Sequence, residues 1–171
     1  MISQPEKPLV AVAMSGGVDS AVTAALLLEQ GYPIIGITMQ LFQSAYHLAD
    51  AKLAADKLGI PHYVYDFRQE FQDHIIRYFW EEYNAGRTPN PCVFCNPQIK
   101  FGLLFERAQE FGARYLATGH YVKVNYDEVN GRYVLRASAN SAKDQSYFLY
   151  RLTQAQLART LFPLADLTKD L

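Results

Sequence analysis

Short apolar runs alternate with longer stretches of helical periodicity along this chain. Leu9-Val10-Ala11-Val12-Ala13-Met14 is continuous and rich in strand formers, the pattern of a strand covered on both faces. A glycine turn, Ser15-Gly16-Gly17, follows it, and Asp19 to Gln30 reads as an Ala/Leu-rich helix that Gly31 stops. Pro33 to Met39 is a second buried strand. His47 to Leu58 is a helix with Leu48, Ala51, Ala55 and Leu58 on one face, and His62 to Tyr65 is a third strand. Glu70 to Tyr83 predicts an amphipathic helix with a broad aromatic face. Gly86 to Pro97 predicts a loop punctuated by proline, and Gln98 to Phe111 a helix. A fourth strand, Tyr115–Thr118, precedes two segments, Tyr121–Tyr126 and Arg132–Ala137, that flank the hairpin signal Asn130-Gly131. Thr153 to Thr160 predicts a last short helix. Strands alternating with helices imply an α/β fold on a parallel sheet. The seven residues from Gln40 to Tyr46 join strand to helix with no turn glycine or proline, so they are either a short loop or the remnant of a longer one.

Composition narrows the class. The chain has 171 residues, enough for one sizeable core, and its 12 Tyr and 10 Phe argue against disorder. No run of 18 apolar residues predicts a transmembrane helix, and MISQPEKP lacks the order of a signal peptide, so a cytoplasmic protein with no membrane partner is expected. Two cysteines do not make a disulfide scaffold. Net charge is only −1, but residues 1–86 hold 5 Lys/Arg against 10 Asp/Glu and residues 87–171 hold 11 against 7. The basic second half can present a polyanion with a face that the net charge hides.

Two constellations carry candidate chemistry. Ser15-Gly16-Gly17-Val18-Asp19-Ser20 stands between a buried strand and a helix N-terminus, the place where parallel sheets bind ligands. Two glycines let the backbone approach an anion, the helix terminus adds partial positive charge, and Ser15 and Ser20 offer hydroxyls. Asp19 suits either a Mg²⁺ ion against a phosphate or a helix cap. Neither the Walker A nor the dinucleotide fingerprint is present. The second constellation is Arg87-Thr88-Pro89-Asn90-Pro91-Cys92-Val93-Phe94-Cys95-Asn96. Its Cys-x-x-Cys pair suits a redox disulfide, a zinc site, an iron–sulfur cluster or a nucleophilic persulfide. Zinc lacks a second cysteine pair, and the flanking prolines speak against a thioredoxin-like helix start.

The glycine string resembles the pyrophosphatase-type loop of the ATP α-hydrolase (PP-loop) superfamily, whose members split ATP to adenylate a carbonyl oxygen. The string from Gly86 to Phe101 resembles, more narrowly, the tRNA-uridine 2-sulfurtransferases, the MnmA-type 2-thiouridylases. Leu58-Gly59-Ile60-Pro61-His62, Ala117-Thr118-Gly119-His120-Tyr121 and Lys143-Asp144-Gln145-Ser146-Tyr147-Phe148-Leu149 agree with it in the same order.

The resemblance implies a doubly wound parallel sheet of adenine-nucleotide α-hydrolase (PP-loop) type, with a small β-hairpin after the fourth strand. It implies an enzyme that uses ATP and Mg²⁺ to thiolate the wobble uridine of tRNA. Uracil O2 attacks the α-phosphate, pyrophosphate leaves, and sulfur then displaces AMP. Ala13, Met14, Ser15, Gly16, Gly17, Val18, Asp19, Ser20, Met39 and Gly119 match the nucleotide site, and Asp19 joins Cys92 and Cys95 as candidate catalytic residues. Asn90, Pro91 and Cys92 match the segment near the target base, and Lys143, Asp144 and Gln145 a tRNA-contacting stretch. Cys95 matches the sulfur carrier. Cys92 stands where the family often has aspartate, and some members with two cysteines there bind a [4Fe-4S] cluster completed by a third cysteine further along, so Cys92 and Cys95 are also candidate cluster ligands. Partners implied are tRNA and a persulfide or sulfide donor, protein or small molecule. Residues 1–150 are then the catalytic domain and 151–171 the start of a helical adaptor, with a later cysteine and further domains expected beyond Lys169-Asp170-Leu171. Two other readings stay open: an amide-ligase type of adenylating enzyme, and a non-catalytic iron–sulfur or RNA-binding module.

Overall fold

The computed structural model describes residues 6–42 and 46–167. Its strands, in chain order, are β1 (Val10–Ala13), β2 (Ile34–Gln40), β3 (His62–Asp66), β4 (Tyr115–Ala117), β5 (Val122–Asp127), β6 (Arg132–Ala137) and β7 (Thr160–Leu161). Five of them form one sheet in the order β3-β2-β1-β4-β7, with every neighbouring pair parallel. Val10 lies beside Ile34 on one side and Tyr115 on the other. The chain leaves β1 toward β2 and β3 and later returns to β1's other side as β4. The carboxyl end of β1 is therefore the point where the winding reverses, and a crevice opens there.

Strand side chains alternate between two cores. Val10, Val12 and Met14 pack with Ala24 and Leu27 of α1 (Val18–Glu29) and with Ala51 and Ala55 of α2 (Tyr46–Leu58). Ala11, Ile35 and Ile37 face the opposite layer, where Ile75, Ile99, Phe101 and Leu104 are buried. That layer holds α3 (Arg68–Phe71), a π-helical stretch (Gln72–Ile76) and α4 (Arg77–Asn84), then α5 (Pro91–Cys95), a second π-helical stretch (Asn96–Leu103) and α6 (Leu104–Glu110). The expected hairpin is present as β5 and β6, antiparallel from Val122–Ala137 to Asp127–Arg132. Gln154, at the start of α7 (Gln154–Leu157), holds it by accepting from Tyr133 N (2.7 Å) and donating to Tyr133 O (3.0 Å).

Two expectations change. The stretch from Gly86 to Pro97 is not wholly loop: Pro91 to Cys95 is helical and runs on into the next helix. Pro91 occupies the first helical position, where its missing N–H costs nothing, and the Asn90 side chain caps the turn by accepting from Cys92 N at 3.1 Å. The helix then widens where Pro97 has no N–H to give. Thr160, expected at the end of a helix, begins β7, because α7 stops after one turn and Leu116 N takes Arg159 O into the sheet (2.9 Å). β7 thereby joins the sheet beside β4. The expected Gln40–Tyr46 connection falls partly on residues 43–45, and the Lys169–Leu171 ending on residues 168–171, both outside the described residues. Among the described residues no helix is long and apolar enough to cross a membrane.

Candidate functional site

The glycine turn lies at the end of β1. Gly16 has φ +80°, and a Cβ there would meet His47 O at 2.6 Å, so the turn requires glycine for conformation and for the close approach of α2. Ser20 Oγ donates to Gly17 O (2.8 Å) and accepts from Ser15 N (3.2 Å), tying the turn to the first helical residues. Gly17 is the N-cap, and as a glycine it offers no side-chain cap to α1. Asp19 therefore does not cap the helix; its Oδ1 accepts from Tyr121 Oη at 3.2 Å.

Across the crevice, Gly119 follows β4. A Cβ on it would lie 2.8 Å from the carbonyl carbon of Asp19, so only glycine lets β4's end pack on α1's first turn. Between these walls is a cavity of about 390 Å³. Of the residues expected to hold nucleotide, Ala13, Met14, Ser15, Asp19, Ser20, Met39 and Gly119 line it. Gly16, Gly17 and Val18 shape the turn beside it without lining it. Gln145 also lines it: its Oε1 accepts from Tyr121 N (3.0 Å) and its N donates to Tyr121 O (2.9 Å).

Of the further lining residues, Thr38, His47 and Lys100 carried no sequence expectation. Thr38 Oγ1 donates to Met14 O (2.8 Å) and lies 2.7 Å from His62 Nε2, a buried polar link under the floor. His47 enters from α2, its Nε2 3.3 Å from Met39 O. His120 lines the opposite side, with Nδ1 2.8 Å from Thr118 Oγ1 and its ring beside Phe101 and Phe162. Burial, reinforced by the nearby Lys100 charge, pushes its imidazole down to about 3, so the ring is neutral. Lys100 is the one Lys or Arg that lines the cavity among the described residues. It stands five residues after Cys95, and a π-helical turn brings i and i+5 to the same side.

The thiol pair sits on that same helix but outside the cavity lining. Cys92 is exposed and Cys95 half-buried. Burial pushes the Cys95 thiol up against the opposing pull of Lys100, while burial pushes the Lys100 ammonium down against the pull of Cys95 and Cys92. Lysine and thiols are thus electrostatic neighbours. Asn96, next to Cys95, is buried and donates to Phe148 O at 3.0 Å. Gln156 of α7 reaches over to donate to Pro97 O (2.8 Å) and Phe101 O (3.2 Å), tying α7 to the widened turn.

The remaining expected residues lie around this centre. Asn90 and Pro91 begin the thiol helix. Lys143 is exposed on a short turn of Ser141–Lys143. Asp144 is structural: partial burial pushes its carboxyl up, but hydrogen bonds from Ser146 Oγ (2.6 Å) and Ser138 N (2.9 Å) hold it below the usual range. The iron–sulfur expectation is not supported by the donor set. Among the described residues no three His, Cys, Asp or Glu side chains gather as a metal site.

Comparison with known proteins agrees with this geometry. Residues 8–171 match the family model described as the tRNA methyl transferase HUP domain. A tRNA-specific 2-thiouridylase MnmA 1 from Caldanaerobacter subterraneus subsp. tengcongensis is 53% identical over 175 residues, covering 94% of this chain and 48% of that protein. A tRNA-specific 2-thiouridylase MnmA from Treponema denticola is 53% identical over 171 residues, covering 94% and 47%. The chain spans about half the length of the curated relatives it matches. A crystal structure described as a "predicted subunit of tRNA methyltransferase" from Methanocaldococcus jannaschii superposes with a TM-score of 0.52 at 19% identity, over 95% of this chain and 70% of that one, a likeness of fold.

Proposed function

The chain belongs to the tRNA methyl transferase HUP domain family, and on that premise we propose that it is the nucleotide-using, sulfur-transferring part of a tRNA-uridine 2-sulfurtransferase. The observation that carries this reading is the shared wall: the helix that places Lys100 in the cavity also bears Cys92 and Cys95. The family description names methyl transfer and the relatives' names thiolation. Two thiols beside a glycine-turn cavity favour thiolation, because methyl transfer needs neither. A cavity of about 390 Å³ lies within the range of small-molecule sites.

In this reading the turn Ser15–Gly17 and the first amides of α1 hold the phosphates of ATP, and Met39 and Gly119 bound the nucleoside. Asp19 is the one carboxylate lining the cavity among the described residues, and with phosphate oxygens it forms the hard-oxygen set that suits Mg²⁺. Bound Mg²⁺ neutralises charge on the phosphates. Uracil O2 bonds to the α-phosphorus as the bond to the β-phosphate oxygen breaks. The outer sulfur of a Cys95 persulfide then bonds to carbon 2 as the carbon–oxygen bond to AMP breaks; the Cys92 thiol attacks the Cys95 sulfur, the S–S bond to the transferred sulfur breaks, and the resulting Cys92–Cys95 disulfide is reduced by an external dithiol. The base must leave its stack to reach this crevice. Asn90, Pro91 and Cys92 flank its entry, and Lys143, Asp144 and Gln145 form the tRNA-facing rim beside Tyr121. The partners are tRNA and a donor of sulfide or persulfide sulfur.

The test gives the protein an unmodified tRNA transcript, ATP, Mg²⁺, a persulfide sulfur donor and a dithiol reductant, and measures 2-thiouridine by mass spectrometry. Thiolated uridine and a tRNA-dependent ATP–pyrophosphate exchange are expected, with Cys95→Ser abolishing thiolation while ATP binding persists. Undiminished thiolation by Cys95→Ser removes that residue from the chemistry. Exchange that depends on a small carboxylic acid instead of tRNA points to the amide-ligase class.

A further inference from the structure

The charge lining the cavity is unusual for a site that takes a triphosphate. Asp19 contributes a negative charge, His120 is neutral, and Lys100 is the sole Lys or Arg among the described lining residues. No carboxylate lies within ion-pair distance of Lys100 among the described residues, whereas six other Lys or Arg side chains have such a partner. A partly buried ammonium without a carboxylate is costly unless a mobile anion offsets it. The backbone around it is held firmly. Gln156 grips Pro97 O and Phe101 O on either side, and Asn96 is tied to Phe148. Leu104, one turn on, is fully buried and also lines the cavity. The lysine is thus delivered to the cavity by a rigid, apolar-backed turn, opposite the glycine turn.

We propose that Lys100 is the phosphate-contacting residue through which this cavity distinguishes a nucleotide from a nucleoside, meeting the phosphates from the thiol-bearing wall while the glycine turn meets them from the other. The proposal rests on the nucleotide reading of the cavity and adds the residue that determines its charge specificity. An ammonium there draws the phosphate chain toward Cys95, and so places the reacting phosphorus where the thiol helix can reach the activated base.

The experiment is calorimetric titration of the protein with ATP, ADP, AMP and adenosine, repeated with Lys100→Met and Lys100→Arg. A charge-assisted hydrogen bond corresponds to about a ten- to hundredfold change in affinity. Lys100→Met is expected to weaken ATP by that factor, with progressively smaller losses for ADP and AMP and about none for adenosine. Lys100→Arg is expected to recover most of the ATP affinity. A merely structural role would move all four ligands together and would not be rescued by arginine, and either result overturns the proposal. Retention of full ATP preference by Lys100→Met overturns it too, with the nucleotide reading intact. A wild-type protein that binds ATP no better than adenosine overturns both.

Discussion

The two walls of the cavity are built on opposite principles. The glycine wall is contiguous: six residues, Ser15 to Ser20, make the turn, cap and hydroxyls, and the hydrogen bonds that shape the turn stay within five positions of sequence, the Tyr121 bond to Asp19 being a long-range exception. The thiol wall is assembled from afar. Asn96 depends on Phe148, and the carbonyls of Pro97 and Phe101 depend on Gln156, across 52 to 59 positions. One wall is rigid because local geometry leaves it no choice. The other is rigid because a distant segment satisfies its backbone. The difference teaches that the glycine wall fails at single positions, whereas the thiol wall fails when its support is removed.

The largest effect is expected where the local wall is most constrained. Gly16→Ala forces a Cβ into a φ of +80° and to 2.6 Å from His47 O. Backbone strain and overpacking together cost about 2–5 kcal/mol. Urea unfolding should show that loss, and ATP affinity should fall by more than tenfold. A variant with wild-type midpoint and affinity would mean the turn is not constrained as described.

A smaller effect tests the remote support. Gln156→Leu keeps bulk but removes the side-chain donor to Pro97 O and Phe101 O, and breaks the capping box with Thr153, at about 1–3 kcal/mol. Its diagnostic is locality: amide hydrogen exchange should rise over Asn96–Leu103 and α7 while Ser15–Ser20 stays protected. Uniform acceleration over both walls would erase the distinction between them.

The smallest effect concerns His120, where the walls meet. Its folded pKa near 3 lies below the unfolded value of 6.5, so the unfolded chain takes up the proton first. The stability this group contributes is complete above pH 6.5 and is lost as pH falls toward 3. His120→Asn should flatten the decline of the urea midpoint over that window, and an unchanged slope would show that the ring is already solvated in the folded state.

The glycine turn was legible because strand, turn and helix start are local events that the chain writes in consecutive residues. The start of the thiol helix was written too, in Asn90 and Pro91, but three nearby prolines read more naturally as a loop. Lys100 was illegible. In sequence it is one lysine in a periodic helix, and only the widened turn rotates it into the cavity. β7 is two residues long, too short for any periodicity, and exists because β4 offers it an edge. His47 carried no local signal, since its role depends on α2 lying against Gly16.

By itself, then, the sequence determined the alternation of strands and helices, the glycine turn and the presence of a paired thiol, because each follows from backbone preferences within a few residues. The tertiary structure decided that Lys100 of the thiol helix lines the cavity beside the glycine turn, that Gln156 bonds to that helix, and that residues 160–161 join the sheet at its edge. Those outcomes depend on which unsatisfied carbonyl, edge or charge meets which distant group, and such meetings exist only once the chain has folded.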